Sequence, residues 1–307
     1  MNKLFLVFRI IIMSTVLTIG LTSITVADEE DEEKEEQDFL FLLDEAYTQH
    51  QHELQITPAV EFTKAKGTEL EIDEDGGIEE KKQKKDILRT PIEFEWGITD
   101  RLEAEVEMSF VYERRDSTPI NTQKRDTKHV EDFEDMDLGL RYMFVKESEQ
   151  WPAITVGYAY ELQTGDYTEE LGAQNRGHEL SLAMSRDFGH WVGHFNLGFG
   201  VHLDETKLNE DGTRSKKLDL REVSYGLAFV YRATDNTKLF FELFHEIEEE
   251  IEVNKRKSET ELRILPGVSY AFERGPKGHE HEWEFGLGFP IGVTDDAADW
   301  GVIFKVK

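Results

Sequence analysis

Five glutamates, Glu93, Glu95, Glu103, Glu105 and Glu107, sit at alternate positions of two short stretches separated by Gly97-Ile98-Thr99-Asp100. In extended chain every second side chain shares a face. A hairpin in which Ile98 and Leu102 share the outer face puts Glu95 opposite Glu105 and Glu93 opposite Glu107, with Glu103 one step further. Carboxylates directly across a ladder repel, so the pattern demands a counter-charge: Arg141 on a neighbouring strand, a bound cation, or carboxylates sharing protons. Glu282 and Glu284 belong to the same set, as do Glu53, Glu61, Glu161, Glu179, Glu222 and Glu242, set against Arg141, Arg263 and Lys305. Such a face would handle cations.

Three histidine patterns are weaker. His279 and His281 would share one side of a strand and are weak candidate metal ligands, although they fall at a turn; His50 and His52 have the same spacing. His194-Phe195-Asn196 would suit nucleophilic hydrolysis if a hydroxyl followed the histidine by two residues, but that position is Asn196. No catalytic residue is assigned and no cofactor is implied, so an enzyme is not expected.

The elements that must carry these residues follow from a period of two that runs from His52 onward. Leu102, Ala104, Val106, Met108, Phe110 and Tyr112 alternate with Glu103, Glu105, Glu107 and Ser109. The same alternation recurs in Phe195 to Leu203, Val223 to Tyr231 and Trp283 to Phe289. The second face is mostly Gly, Ala, Ser and Glu, small and polar, which suits a water-filled interior rather than the outside of a soluble sandwich. Strands are expected at 52–64, 87–98, 101–112, 136–146, 152–162, 177–188, 191–203, 219–232, 237–248, 259–273, 281–291 and 298–306. The fold class is therefore all-β, an antiparallel up-and-down transmembrane barrel of about twelve strands. Connections alternate long (65–86, 113–135, 163–176, 204–218, 249–258) and short, the longer ones expected as external loops carrying the charge runs; the alternation is weakest in the last hairpins. Trp96, Tyr142, Phe144, Trp151, Phe188, Trp191, Tyr231, Phe272 and Trp283 lie near the short turns, as an interfacial girdle would.

Composition agrees. The 307 residues contain 65 acidic and 35 basic side chains, for a net charge of -30, which argues against nucleic acid as a partner. The absence of cysteine excludes disulfides, thiolate metal sites and a lipidated cysteine. Residues 1–27 read as a signal peptide, with Lys3 and Arg9 ahead of an apolar core and small residues near Ala27. Residues 28–50 read as an acidic periplasmic tail interrupted by Phe39-Leu40-Phe41-Leu42-Leu43; this cluster could plug something larger, but a solvated tail is the simpler reading. Residues 51–307 are expected to form the barrel.

The stretches Gly97-Ile98-Thr99-Asp100-Arg101-Leu102-Glu103, Asp135-Met136-Asp137-Leu138-Gly139-Leu140-Arg141-Tyr142, Trp151-Pro152-Ala153-Ile154 and Leu162-Gln163-Thr164-Gly165-Asp166 resemble a family of outer-membrane barrel transporters labelled as the meta pathway of phenol degradation. That resemblance implies a Gram-negative outer-membrane protein and, by association, small aromatic solutes. Such barrels commonly end in an aromatic residue, whereas this sequence reads Phe304-Lys305-Val306-Lys307. The expected function is a passive channel for small solutes, cation-selective or for aromatic compounds. The alternatives are a plugged barrel binding divalent cations or lipopolysaccharide and, further off, a barrel hydrolase. Expected partners are outer-membrane lipid, lipopolysaccharide, a small-molecule solute and the barrel assembly machinery.

Overall fold

The computed structural model describes residues 40–72, 78–119, 125–165, 171, 177–208, 214–252, 255–274 and 281–307. The expected leader, the tail as far as residue 39, and His279 lie outside the described residues. Among those described there are fourteen strands: β1 (Leu54–Ile72), β2 (Ile78–Thr99), β3 (Leu102–Pro119), β4 (Asp126–Phe133), β5 (Met136–Val145), β6 (Ala153–Leu162), β7 (Gly177–Asp187), β8 (Trp191–Leu208), β9 (Arg214–Thr234), β10 (Thr237–Glu252), β11 (Lys255–Arg274), β12 (His281–Gly288), β13 (Ile291–Gly292) and β14 (Trp300–Val306).

They make twelve staves of one closed antiparallel barrel. β4 pairs with the outer half of β3 and β5 with its inner half, so the two are one stave broken at Glu134-Asp135. β12 and β13 both run along β11 and are broken at Phe289-Pro290, where proline offers no N–H to the ladder. β14 returns to β1, from Ala59 opposite Lys305 to Lys64 opposite Trp300, which closes the wall on itself.

The alternation orients every stave. In β5, Leu138, Leu140, Tyr142 and Phe144 are exposed while Arg141 and Met143 between them are buried. In β9, Val223, Tyr225, Leu227 and Phe229 are exposed and Gly226, Ala228 and Val230 are buried. The exposed apolar side is the one that meets lipid. Trp96, Tyr142, Phe144, Trp151, Phe188 and Trp191 stand exposed at one end of the wall, and Trp191 and Tyr231 pack with ring centroids 4.6 Å apart, so the girdle is formed.

Two expectations are corrected. The charge-rich stretches 65–86, 113–135, 204–218 and 249–258 are not mainly loops; β1, β2, β3, β8, β9, β10 and β11 run through them, reaching 16 to 22 residues against 10 or 11 for β5, β6 and β7. Beyond the roughly 9–11 residues that cross a bilayer both faces meet water. Polar residues then occupy both, and the amphipathic signal disappears while the ladder continues. The second correction concerns the tail: residues 40–50, a span without helix or strand, are not solvated but lie inside the barrel, where Leu40, Leu43, Ala46, Tyr47, Thr48 and Gln49 are buried.

Candidate functional site

The acidic hairpin forms in the expected register: Glu93 faces Glu107, Glu95 faces Glu105, and Glu103 stands opposite Gly97. β5 brings Arg141 opposite Glu103 on the other side. Its Nη1 lies 3.0 Å from Glu103, 2.9 Å from Glu105 and 3.8 Å from Glu95. Glu103 is 0% exposed and Arg141 6%, so this is a buried charge cluster in which one guanidinium serves three carboxylates. Glu93 has a second cation, Lys305, at 4.0 Å. Carboxylate oxygens of Glu93, Glu95 and Glu105 lie within 4.8 Å of one another, the only such donor group among the described residues. Glu107 is exposed toward the lumen. Glu284, buried on β12, accepts a hydrogen bond from the Ser269 hydroxyl and lies 3.8 Å from Lys238. Glu282 keeps its place in β12 opposite Glu273, and His281 opposite Arg274; neither side chain is among those described.

Residues 40–50 cross this lumen as a strap. The barrel reads its backbone with inward side chains. Phe41 and Leu42 donate their N–H groups to the two oxygens of Glu242, each at 2.8 Å, and Lys305 donates to the Leu40 carbonyl at 3.1 Å. Asn196 makes a reciprocal pair with Asp44, accepting from its N–H at 2.6 Å and donating to its carbonyl at 2.8 Å. The Arg141 guanidinium donates to the Glu45 carbonyl, Thr155 donates to the Ala46 carbonyl, and Ala46 N–H donates to Ser185 at 2.8 Å. Gln49 donates its N–H to Glu103. Lys307 lies 3.6 Å from the Glu45 carboxylate. Four of the inward groups that looked like a lining, Glu103, Arg141, Glu242 and Lys305, are therefore ligands of the strap.

Missing side chains provide its sockets. A Cβ added at Gly226 would stand 2.3 Å from Leu43, and Cβ atoms at Gly267 and Gly288 would stand 2.8 and 3.1 Å from the Phe41 ring. Phe41 packs edge-on to Phe240, with centroids 5.6 Å apart. Where the strap joins β1, His52 has φ 69° and donates to the Gly97 carbonyl at 2.7 Å; a Cβ at Gly97 would lie 1.9 Å from the His50 carbonyl oxygen. His50 and His52 are exposed and serve this bend through their backbones.

Beside the strap is a cavity of about 200 Å³, lined by Asp44, Glu179, Glu222, Asn196, Ser181 and Ser224, with Leu42, Leu43 and Phe244 also on its wall. Its charged lining is acidic apart from Arg141, which is committed to Glu103, Glu105 and the strap.

His194 does have a hydroxyl partner, though not in its own strand. Ser185, opposite it across the β7–β8 ladder, lies 2.8 Å from Nδ1. Cross-strand register is invisible in a search along one strand, which is why this pair escaped notice. Ser185 is 1% exposed and also accepts the Ala46 N–H, so the pair fastens the strap.

A closed antiparallel barrel with an apolar outer belt, an aromatic girdle and a polar interior is an outer-membrane β-barrel of a Gram-negative bacterium. Residues 50–210, just over half of the chain, match the HAEPLYID-like family model, and the chain belongs to that family. No protein of curated function matches. Among solved structures, an outer membrane channel from Pseudomonas putida F1 is 13% identical, with 85% of this chain and 96% of that one covered at a TM-score of 0.56. The transport unit of the autotransporter AIDA-I from Escherichia coli is 11% identical (87% and 93% covered, TM-score 0.49). The CymD monoaromatic hydrocarbon channel is 10% identical (84% and 88% covered, TM-score 0.38). At these identities the likeness is one of fold, and the last two overlay too loosely to support an argument.

Proposed function

We propose that the protein is a passive outer-membrane channel for small solutes, favouring cations and neutral molecules over anions. The observation that carries this reading is the cavity of about 200 Å³ inside the closed wall, bounded by Asp44, Glu179 and Glu222. Carboxylates along a confined aqueous path raise the local concentration of cations and repel anions. A small aromatic compound is the other cargo the cavity would accommodate, against Leu42, Leu43 and Phe244. Residues 1–27 would direct export, after which the assembly machinery would insert the barrel among lipid and lipopolysaccharide. Proteoliposome swelling tests the proposal: small amines and sugars should enter faster than carboxylic acids of equal size, and equal or reversed rates would refute the selectivity.

A second reading, a plugged barrel acting as a surface scaffold, is favoured by the strap, whose backbone is held by at least seven barrel side chains. Absence of swelling for every solute, with calcium-dependent thermal stability, would support it. A hydrolase is the least favoured function, because Ser185 and His194 are buried under the strap.

A further inference from the structure

We infer that residues 40–50 are an autoinhibitory strap, docked across the lumen by the barrel's own inward side chains and able to leave as a unit while the wall stays closed. The inference rests on the channel reading. Three features support it.

The first is how the strap is held. Within 40–49, the hydrogen bonds to the barrel named above all use a barrel side chain, as does the Tyr47 hydroxyl on Glu147, while the Thr48 hydroxyl reaches the Asp100 carbonyl; among the described residues no strand pairing joins strap to wall. The wall is closed independently by β1 against β14. Undocking therefore breaks no ladder bond. The groups left behind, Glu242, Asn196, Ser185 and Thr155, would face a lumen that water can refill, and water replaces such contacts at modest cost.

The second is the hinge. Among the described residues, backbone pairing begins at the bend, where His52 donates to Gly97 and Gly97 donates to Glu53 at 3.0 Å. His52 lies in the left-handed region, so the chain changes direction between strap and stave.

The third is fit. Phe41 and Leu43 occupy sockets that exist because Gly226, Gly267 and Gly288 carry no side chain. The strap is thus a specific occupant of the lumen, and the cavity that remains is bounded by its residues Leu42, Leu43 and Asp44.

The full chain contains no cysteine, which makes a locking experiment clean. A Cβ at 226 would stand 2.3 Å from a Leu43 methyl, so the pair Leu43→Cys and Gly226→Cys is within reach of a disulfide. An added copper–phenanthroline oxidant takes two electrons from the two thiols to form the bond, and dithiothreitol returns them. Planar-bilayer conductance of this variant should fall at least about tenfold on oxidation and recover on reduction. The unlocking variant Asn196→Ala with Ser185→Ala removes three strap hydrogen bonds and should raise the open fraction by about tenfold or more. Heat-modifiable gel mobility reports whether each barrel is folded. Equal conductance of the oxidised and reduced forms, with the disulfide verified by mass, would overturn the strap while leaving the channel intact. Silence of every folded variant, including one deleted for residues 40–49, would overturn the channel reading and with it anything for the strap to control.

Discussion

Two sectors of the same wall hold the strap by different means. On β2, β3 and β5 the lumen is crowded with charge: Glu95, Glu103 and Glu105 converge on Arg141, Glu93 lies 4.0 Å from Lys305, and the strap completes the network through the Glu45 carbonyl and the Gln49 N–H. On β9, β11 and β12 it offers sockets: Gly226, Gly267 and Gly288 provide room that Leu43 and Phe41 fill, beside Glu242 of β10, which takes the Phe41 and Leu42 N–H groups. The first half holds the strap through charge alone, whereas the second adds to the Glu242 carboxylate the space that its glycines leave for side chains. The difference teaches that inward residues of a barrel can specify an occupant rather than merely line a pore. The two sectors should also fail differently, the first through wall stability and the second through strap occupancy.

The largest effect is expected in the charged sector. Arg141→Met leaves Glu103, Glu105 and Glu95 buried without their shared cation and should cost about 3–5 kcal/mol of barrel stability, read as urea unfolding in detergent. Arg141→Lys should restore only part, because an ammonium lacks the planar fork. If Arg141→Met unfolds like wild type, the cluster does not hold the wall.

The socketed sector should respond with strap release at constant wall stability. Phe41→Ala and Leu43→Ala each remove about 2–4 kcal/mol of docking, visible as proteolysis near residues 40–50 while barrel unfolding is unchanged. A parallel loss of barrel stability would erase the distinction between the sectors. Gly226→Val fills the Leu43 socket from the wall side and should cost about 1–3 kcal/mol of the same docking. Combined with Leu43→Ala it should cost less than the two changes added, since one cavity is then filled by the other's side chain.

The smallest effect belongs to the external hairpin of β3 and β4, outside both sectors. Asp116 is held at a pKa of about 2 by hydrogen bonds from Arg125 and Thr127 and by the Arg114 charge. A carboxyl lowered in the folded state contributes stability that is fully present above its unfolded value of about 3.9. That contribution is lost as pH falls toward 2. Protection factors of the β4 amides, corrected for the pH dependence of intrinsic exchange, should fall across that window and Asp116→Asn should abolish the dependence.

The sequence made the staves legible wherever one face met lipid and the other water: Leu102 to Tyr112 and Val223 to Tyr231 show the alternation directly, and the pairing of Glu95 with Glu105 follows from it. Legibility ended at three places, each for a physical reason. Above the bilayer both faces are wet, so the extensions of β1, β2 and β8 to β11 carry no period. Ser185 meets His194 through register between strands, which no spacing along one strand encodes. The strap follows directly on an acidic run, and nothing along the chain says where its apolar cluster would dock; that information lies elsewhere, in Gly226, Gly267, Gly288, Asn196 and Glu242 on distant staves.

The central claim is that this barrel conducts and that its carboxylates set the preference. The most direct measurement is the zero-current potential of the purified full chain in a planar bilayer under a tenfold potassium chloride gradient. The account requires current, with a reversal potential on the potassium side of zero that shrinks when Glu179→Gln and Glu222→Gln are combined. A reversal potential on the chloride side, or a folded barrel that never conducts, would contradict it.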